Sequence, residues 1–284
     1  MNIIDRIDGS LITSRVPRIP VSHYPSTCSV VSGGRKYGSC LRQLYWKWTG
    51  ETETNPLEVS SIWKMELGNS GHLAIINLMK KAGFDFESEV AGKVNVEGLK
   101  YPISFRLDNV IKSKTNKVGL EVKTTFMGST NSVRDSGPKV EHLMQVMCYM
   151  KFAELNEFVL LYVDRGSGYR MQFFLTLKDE KYYCDGKEIP FTIKDILERW
   201  IELEKALEEK KLPKRDYKVW LREDGTVQER KVIKKVINKS DWQCLYCPFQ
   251  NKCWSTFDAR DDCYTLGVGN PIPEWKPIGD IDEP

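Results

Sequence analysis

Apolar residues recur at helical spacing in several segments of the chain. One set has the i, i+3, i+4, i+7 spacing of a single helix face: Leu41, Leu44, Tyr45 and Trp48. This set predicts a short helix near residues 39–50. A longer helix is expected over about 61–82, where Gly83 ends it. Two further helices are expected at about 139–155 and 193–211.

Between these helices the pattern changes to the shorter period of β-strands. Residues 86–96 and 100–111 partly alternate and predict a hairpin that turns at Glu97 and Gly98. A polar run leads into a third strand at 118–125, and two more strands are expected near 158–163 and 169–177. The elements therefore predict an α/β protein.

Three segments predict irregular structure. Residues 1–37 contain Pro17, Pro20, Pro25 and a Gly-Gly pair, so we expect an extended lead-in. Residues 127–138 are rich in Gly, Ser and Asn and predict a loop. The last twenty residues, with their prolines and acids, predict a loose tail.

Composition narrows the class of protein only slightly. The chain has 284 residues, of which 41% are hydrophobic and 29% charged, with a net charge of +3. Its length allows one large domain or two small ones, with a substantial core. No stretch approaches the roughly 18 apolar residues of a membrane span, and the first ten residues carry no apolar signal region. We therefore expect a cytoplasmic protein with no membrane partner.

Two acids and a lysine on neighbouring predicted strands are the first candidate for chemistry. Asp108 lies near the end of one strand, and Glu121 and Lys123 lie on the next. A separation of two residues places Glu121 and Lys123 on one face of a strand, and the hairpin brings Asp108 beside them. Carboxylates can hold Mg²⁺ or Mn²⁺, which activates a bound water, and a lysine can orient that water or neutralise developing charge.

Residues on the flanking helices extend this set. His72 lies on or beside the apolar face of the 61–82 helix, and a neutral imidazole is a good ligand for Mn²⁺. Gln145 and Tyr149 are four residues apart and so share one helix face. A core histidine and an amphipathic surface are the simpler interpretations of each feature alone. The order His, Asp, Glu-x-Lys, Gln-x-x-x-Tyr is much harder to obtain by chance.

Over about residues 65–150 this order resembles the RecB-type branch of the PD-(D/E)XK nucleases. The resemblance implies a nuclease core made of a mixed sheet flanked by helices. It also implies that His72, Asp108, Glu121 and the backbone carbonyl of Val122 ligate the metal, and that Lys123 is the catalytic lysine. Gln145 and Tyr149 match the family's Q-x-x-x-Y motif, which supports the site and DNA binding. Leu107 precedes Asp108 where many members have proline.

Cysteines form a second constellation. The chain has eight, and Cys244, Cys247 and Cys253 make a C-x₂-C-x₅-C segment. In a reducing compartment clustered cysteines are better explained as metal ligands than as disulfides. Three thiolates leave one position of a four-ligand site for another cysteine. The candidates are Cys28, Cys40, Cys148, Cys184 and Cys263.

Cys40 is the preferred fourth ligand, because Cys40-Leu41-Arg42-Gln43-Leu44-Tyr45 resembles the C-P-R-x-L-Y segment of iron–sulfur RecB-like proteins, with leucine in place of proline. Such proteins hold a [4Fe–4S] cluster with one early and three late cysteines. They include CRISPR-associated exonucleases used in spacer acquisition and the AddB recombination subunit. A zinc site on the same thiolates is the alternative centre, and Cys28 is the alternative ligand.

Basic residues give local candidates for DNA contact, since the net charge gives no global signature. Those near the predicted site are Lys112, Lys114, Lys117, Arg134 and Lys139. A later basic run, interleaved with Tyr217 and Trp220, contains Lys210, Lys211, Lys214, Arg215 and Lys218. Cations can neutralise phosphates while aromatic rings stack on unpaired bases. No P-loop sequence is present, so a helicase would have to be a partner.

The sequence thus predicts a single nuclease domain over 1–284. Its core is expected at about 58–180, and segments 26–54 and 190–263 are expected to form a helical cap clamped by the cysteines. We expect Mg²⁺- or Mn²⁺-dependent phosphodiester hydrolysis, and the family resemblance implies an exonuclease on single-stranded DNA that acts in DNA end processing. A DNA-end-binding subunit that recruits an integrase or recombination partner is the competing hypothesis. A redox-responsive binding protein is a third.

Overall fold

A computed structural model describes residues 3–13, 18–113, 116–224, 234–254 and 264–268 of the chain. The helices are α1 (Ile3–Thr13), α2 (Leu41–Trp48), α3 (Val59–Lys81), α4 (Met127–Ser136), α5 (Val140–Phe152), α6 (Ile193–Glu208), α7 (Trp242–Leu245) and α8 (Gln250–Trp254), with a short 3-10 helix at Pro25–Thr27. The strands are β1 (Ser29–Ser32), β2 (Arg35–Gly38), β3 (Phe86–Val94), β4 (Ile103–Lys112), β5 (Lys117–Thr125), β6 (Glu157–Asp164), β7 (Arg170–Lys178), β8 (Lys181–Cys184), β9 (Lys187–Glu188), β10 (Val219–Asp224), β11 (Lys234–Ser240) and β12 (Tyr264–Val268). None of the helices in these ranges is long and apolar enough to cross a membrane.

The chain divides into two compact units. Unit 1 comprises Met1–Gly38 and Glu58–Lys205, and unit 2 comprises Ser39–Leu57 and Ala206–Pro284. The sequence-based division into a core and a two-segment cap stays a prediction.

Unit 1 is built on a mixed sheet of seven strands in the order β3-β4-β5-β6-β7-β8-β9. Its neighbouring strands are antiparallel except for β5 and β6, which run parallel. A parallel pair needs a long crossover, which α4 and α5 supply here. The last residues of the two strands, Thr125 and Asp164, are therefore paired at the same edge of the sheet.

Helices cover both faces of this sheet. On one face, Leu120 and Val122 of β5 pack with Met79 and Ile75 of α3. On the other face, α5 is buried along most of its length, and its core includes Met144 and Met147. A helix that is apolar nearly all round is typical of such a central position. The alternation of side chains along β5 therefore directs Glu121 and Lys123 to the face that α5 covers.

Unit 2 contains helices and a small sheet. The sheet has the order β11-β10-β12. In α2 the buried side chains are Leu41, Leu44 and Trp46, and the ring centroid of Trp46 lies 5.4 Å from that of Phe249. The sequence analysis expected a helical cap, whereas the described segments Val219–Asp224 and Lys234–Ser240 of this unit form strands.

Several sequence expectations about single elements are also wrong. The segment 1–37 contains α1, the 3-10 helix and the β1–β2 hairpin, which turns at Gly33 and Gly34. The segment 127–138 forms α4, where Thr130 and Val133 are buried and Gly137 ends the helix with a φ of 83°. Burial of this helix outweighs the low helix propensity of its Gly, Ser and Asn residues. The tail after residue 268 lies outside the described residues.

Candidate functional site

The candidate site begins where two strands separate. The ladder between β4 and β5 runs from the Lys112–Lys117 pair to the Asn109–Leu120 pair, and no pairing of Asp108 with Glu121 continues it. Beyond that point the backbone N–H of Val122 donates to Oδ2 of Asp108 over 2.8 Å. A side chain therefore replaces the partner strand, and the gap leaves room for chemistry between β4 and β5.

Glu121 is almost fully buried in this gap, with a relative exposure of 3%. Its Oε1 accepts a hydrogen bond from Nζ of Lys123 over 2.7 Å, whereas its Oε2 has no hydrogen-bond partner among the described residues. Burial raises the pKa of Glu121 to about 7, and the Lys123 ammonium acts in the opposite direction. A buried carboxylate oxygen without a partner is unfavourable unless another positive group or donor reaches it.

Lys123 is held by residues on α5. Its Nζ also donates to Oε1 of Gln145 over 2.8 Å, and Nε2 of Gln145 donates to the hydroxyl of Tyr149 over 2.7 Å. Gln145 and Tyr149 share a helix face, as their spacing indicates, and both are buried. Burial also raises the pKa of Tyr149, so its phenol stays neutral. The result is one hydrogen-bonded chain from Glu121 to Tyr149.

His72 reaches the site because α3 lies very close to β5. A Cβ atom on Gly71 would lie 2.5 Å from Cγ2 of Thr124, so only glycine permits this approach. Nδ1 of the adjacent His72 lies 3.3 Å from Oδ2 of Asp108. The hydrogen bond with Asp108 raises the pKa of His72. A glycine in a helix interior is thus the sequence signal for this close contact.

Sequence reasoning did not single out His142 or Tyr162. Nδ1 of His142 is 2.6 Å from the hydroxyl of Tyr162, which also accepts a hydrogen bond from the backbone N–H of Lys139. Burial lowers the pKa of His142 to about 3, with further effects from Lys123 and Lys139, so the imidazole stays neutral. The available signal was spacing, since His142 lies three residues before Gln145 on the same helix.

The donor set fits a divalent cation of the Mg²⁺ or Mn²⁺ type. It combines two carboxylates and an imidazole, and Glu121 Oε2 is a buried acceptor without a partner. Among the described residues no three His, Cys, Asp or Glu side chains are assembled as a metal site. Ligation by His72, Asp108, Glu121 and the carbonyl of Val122 therefore stays a prediction.

The predicted cysteine ligands lie together in unit 2. Cys40 is the N-cap residue of α2, Cys244 lies in α7, Cys247 follows it and Cys253 lies in α8. All four line one cavity. Burial raises the pKa of Cys244, and the other three thiols add to the rise. Burial also raises the pKa of Cys247 to about 12. Thiols in this environment stay protonated unless a cation stabilises their thiolates.

Polar contacts hold the chain segments around these thiols. The backbone N–H groups of Thr54 and Asn55 both donate to the carbonyl of Pro248, over 2.9 and 2.8 Å. The backbone N–H of Leu41 donates to Oδ2 of Asp216 over 2.7 Å. Nη1 of Arg42 lies 3.9 Å from Sγ of Cys253. Residues far apart in sequence are thereby fixed around one cavity.

The remaining cysteines lie elsewhere. Cys28 and Cys148 are buried in the core of unit 1, and Cys184 is half-buried in β8. Cys28, the alternative fourth ligand, is not among the residues that line the cavity of unit 2. Cys263 lies outside the described residues. Four thiols that line one cavity have the chemistry to hold either an iron–sulfur cluster or zinc.

The predicted basic contacts give a mixed result. Lys112 pairs with Glu87 at 2.5 Å, and Nε of Arg134 lies 3.2 Å from Asp135. In the later basic run, the guanidinium of Arg215 lies 4.2 Å from the ring centroid of Trp254. The sequence analysis offered Tyr217 as a ring that could stack on a base. Tyr217 is buried, so its ring is not exposed for that contact. Lys114 and the side chain of Trp220 lie outside the described parts.

No protein-family model and no curated protein matches the chain significantly. Among solved structures, the crystal structure of SSO0001 is 18% identical and covers 91% of this chain and 99% of that chain, with a TM-score of 0.48. An alkaline exonuclease from Laribacter hongkongensis, LHK-Exo, is 17% identical and covers 60% of this chain and 78% of its own, with a TM-score of 0.38. LHK-Exo in complex with dAMP gives 0.39 over the same shares. At these scores the similarities carry no inference about function, which rests on the residues of this chain.

Proposed function

We propose that the chain is a metal-dependent deoxyribonuclease that hydrolyses phosphodiester bonds of single-stranded DNA, acting as an exonuclease in DNA end processing. The main support is the connected set of groups at the β4–β5 gap. There one oxygen of the buried Glu121 accepts a hydrogen bond from Lys123, and the other has no partner within the part of the chain that the structure describes. Structural ion pairs seldom leave a buried acceptor in that state, whereas a cation site requires one.

In this proposal Asp108, Glu121, His72 and the carbonyl of Val122 hold Mg²⁺ or Mn²⁺. When bound, the ion supplies an activated water and stabilises negative charge on the phosphate. Asp108 is oriented by the N–H of Val122 and by His72. Its carboxylate therefore needs little rearrangement to act as a ligand, which favours catalysis by pre-organised charge.

Lys123 is assigned to the phosphate and its attacking water. Its ammonium is held by Glu121 and Gln145, so its position relative to both carboxylates is fixed by β5 and α5 together. An ammonium so placed can neutralise charge that develops on the phosphate. Tyr149 holds Gln145 from the other side and acts as a positioning residue.

For unit 2 we propose that Cys40, Cys244, Cys247 and Cys253 hold a [4Fe–4S] cluster whose role is structural. The support is their convergence on one cavity and the mutual effect of the thiols on their pKa values. Iron and zinc analysis of anaerobically purified protein, together with its visible absorption, distinguishes the cluster from zinc. Protein that carries zinc and no iron would replace the cluster with the alternative centre.

The decisive experiment is cleavage of end-labelled single-stranded DNA by anaerobically purified protein in Mn²⁺ or Mg²⁺. Wild-type protein should release nucleotides from the labelled strand, and Asp108→Ala protein should not. Asp135→Ala is the matched control, because Asp135 is an exposed acid in the same unit. Intact DNA with folded, metal-loaded wild-type protein would overturn the proposal in favour of a DNA-end-binding or recruitment subunit.

A further inference from the structure

An exposed aromatic ring lies next to an arginine at the end of β5. Phe126 follows the last residue of this strand and is 49% exposed. The guanidinium of Arg165, which follows the last residue of β6, lies 4.1 Å from its ring centroid. We call Phe126 and Arg165 the ring–guanidinium pair. The guanidinium covers one side of the ring and leaves part of the aromatic surface open to solvent, where a flat group could stack on it.

The backbone around this pair is firmly held. The N–H of Arg165 donates to the carbonyl of Thr125 over 2.9 Å, and its Nη1 donates to the carbonyl of Lys64 on α3 over 3.0 Å. Its neighbour Asp164 accepts a hydrogen bond from Thr130 of α4 over 2.5 Å. Asp164 also accepts from the N–H groups of residues 166 and 167, over 2.9 and 2.8 Å. The pair is therefore pre-organised, which lowers the entropy cost of binding a ligand.

Two measures along the chain place the pair close to the candidate site. Phe126 is three residues beyond Lys123, which is at most about 10 Å at roughly 3.3 Å per strand residue. Lys64, whose carbonyl holds Arg165, is eight residues before His72, which is about 12 Å at roughly 1.5 Å per helical residue. Stacked nucleotides advance by about 3.4 Å each. The backbone of Phe126 therefore lies within about 10 Å of that of Lys123, and Lys64 within about 12 Å of His72, lengths that about three to four stacked nucleotides span.

We infer that Phe126 and Arg165 form a stacking platform for one unpaired base of the DNA strand, near the phosphate that is cleaved. The inference rests on the proposed nuclease function and names how its substrate is held. An aromatic face accepts any base, and the adjacent guanidinium attracts the phosphate backbone, which suits an enzyme without sequence preference. Bases inside a duplex have both faces covered by their neighbours, so the platform selects single strands.

The test is binding of fluorescently labelled oligothymidylate to the full chain with its proposed cysteine centre loaded. The buffer contains no Mg²⁺ or Mn²⁺, so that no cleavage occurs. Phe126→Leu should weaken binding about tenfold, since loss of base–aromatic stacking commonly has that size. Phe126→Trp keeps a stacking surface and should bind at least as tightly as wild type. Phe174→Leu is the control, because Phe174 is 52% exposed on β7 of the same unit.

A scan with single abasic nucleotides sharpens the result. In wild-type protein one or two positions near the DNA end should weaken binding when the base is missing, and in Phe126→Leu protein those positions should lose their effect. Equal affinity of the wild-type, Phe126→Leu and Phe174→Leu proteins would show that the pair is only a structural contact and overturn the inference. Wild-type protein that neither binds nor cleaves DNA would instead overturn the proposed function.

Discussion

The two candidate sites of this protein are built in opposite ways. The acid–lysine site of unit 1 lies on long, regular elements, and its side chains are already hydrogen-bonded to one another. The cysteine site of unit 2 lies on a helix N-cap, on helices of 4 and 5 residues, and on the link between them. Its thiols lie close together, but burial and the neighbouring thiols raise the pKa values of Cys244 and Cys247. These groups therefore do not stabilise one another as thiolates.

In unit 1 the packed helices and strands position the candidate site. In unit 2 we expect the reverse, because the bound metal centre would stabilise the surrounding structure. The geometry of Glu121, Lys123 and Gln145 is fixed by β5 and α5, whose apolar side chains are buried in the hydrophobic core of unit 1. No side chain of α7 is buried and α8 buries only Trp254, and helices of this length rarely persist on their own. We therefore expect that loss of Mg²⁺ or Mn²⁺ abolishes the activity of unit 1 without unfolding it. Loss of the cysteine-bound centre should unfold part of unit 2.

The largest effect is expected from Glu121→Gln. This change keeps the shape of the side chain and removes its charge, so cleavage should fall by at least about a hundredfold as ligation and electrostatic stabilisation are lost. The thermal midpoint and the iron or zinc content of the cysteine site should not change. Rates on single-stranded DNA and metal analysis check both points. Glu157→Gln, on an exposed acid of β6, is the control, and equal cleavage by the two variants would remove Glu121 from the site.

Cys244→Ser tests the other side of the comparison. The variant should lose most of its bound iron or zinc, because three thiolates hold the centre less tightly than four. Limited proteolysis should then cut within residues 206–254 while unit 1 stays intact. Cys184→Ser, in β8 of unit 1, should change neither measurement. A normal metal content in the Cys244→Ser protein would show that these thiols do not hold the centre.

A smaller effect is expected from Gln145→Leu, which removes the α5 acceptor of Lys123 while leaving both carboxylates in place. Loss of such a supporting contact typically costs about tenfold to a hundredfold in activity or metal affinity. Cleavage rates at saturating Mn²⁺ separate misplacement of Lys123 from weaker metal binding. The matched change Gln172→Leu, on an exposed residue of β7, should be silent. Gln145→Leu protein with wild-type rates would show that Lys123 does not depend on α5.

The smallest expected effect concerns two glycines. Gly71→Ala should destabilise the protein by about 1–3 kcal/mol, because the new Cβ would be 2.5 Å from Cγ2 of Thr124. Gly128→Ala has free space around its Cβ and should stabilise α4 by up to about 1 kcal/mol. Denaturant unfolding measures both. Thr124→Ser removes the clashing methyl group and should rescue Gly71→Ala; if all variants are equally stable, α3 does not approach β5 so closely.

Much of the candidate site followed from local spacing. The two-residue rule for strands paired Glu121 with Lys123, and the four-residue rule for helices paired Gln145 with Tyr149. These rules work because each pair lies within one regular element. Sequence could not give the burial of Gln145 or the unpartnered oxygen of Glu121, since both depend on how α5 packs across β5.

The missed elements share a different cause. In α4, the Gly-, Ser- and Asn-rich sequence has low helix propensity, and only the burial of Thr130 and Val133 makes the segment helical. The short strand β8 forms by pairing with β7, and β9 forms by pairing with β8. Segments of four and two residues are too short to show a periodic pattern that would predict them. His142 was overlooked because its partner, Tyr162, lies on a strand twenty residues away.

Unit 2 is built from two segments that lie far apart in the sequence, which has a consequence for folding during synthesis. Ser39–Leu57 is synthesised first, but the rest of its unit begins only at Ala206. At about 5–20 residues per second, the ribosome needs roughly 7–30 seconds to cover the intervening chain. During that interval unit 1 can complete its sheet, whereas Leu41, Leu44 and Trp46 have not yet gained their late partners. The nascent chain thus carries an exposed apolar helix that a chaperone could recognise until the last cysteines emerge.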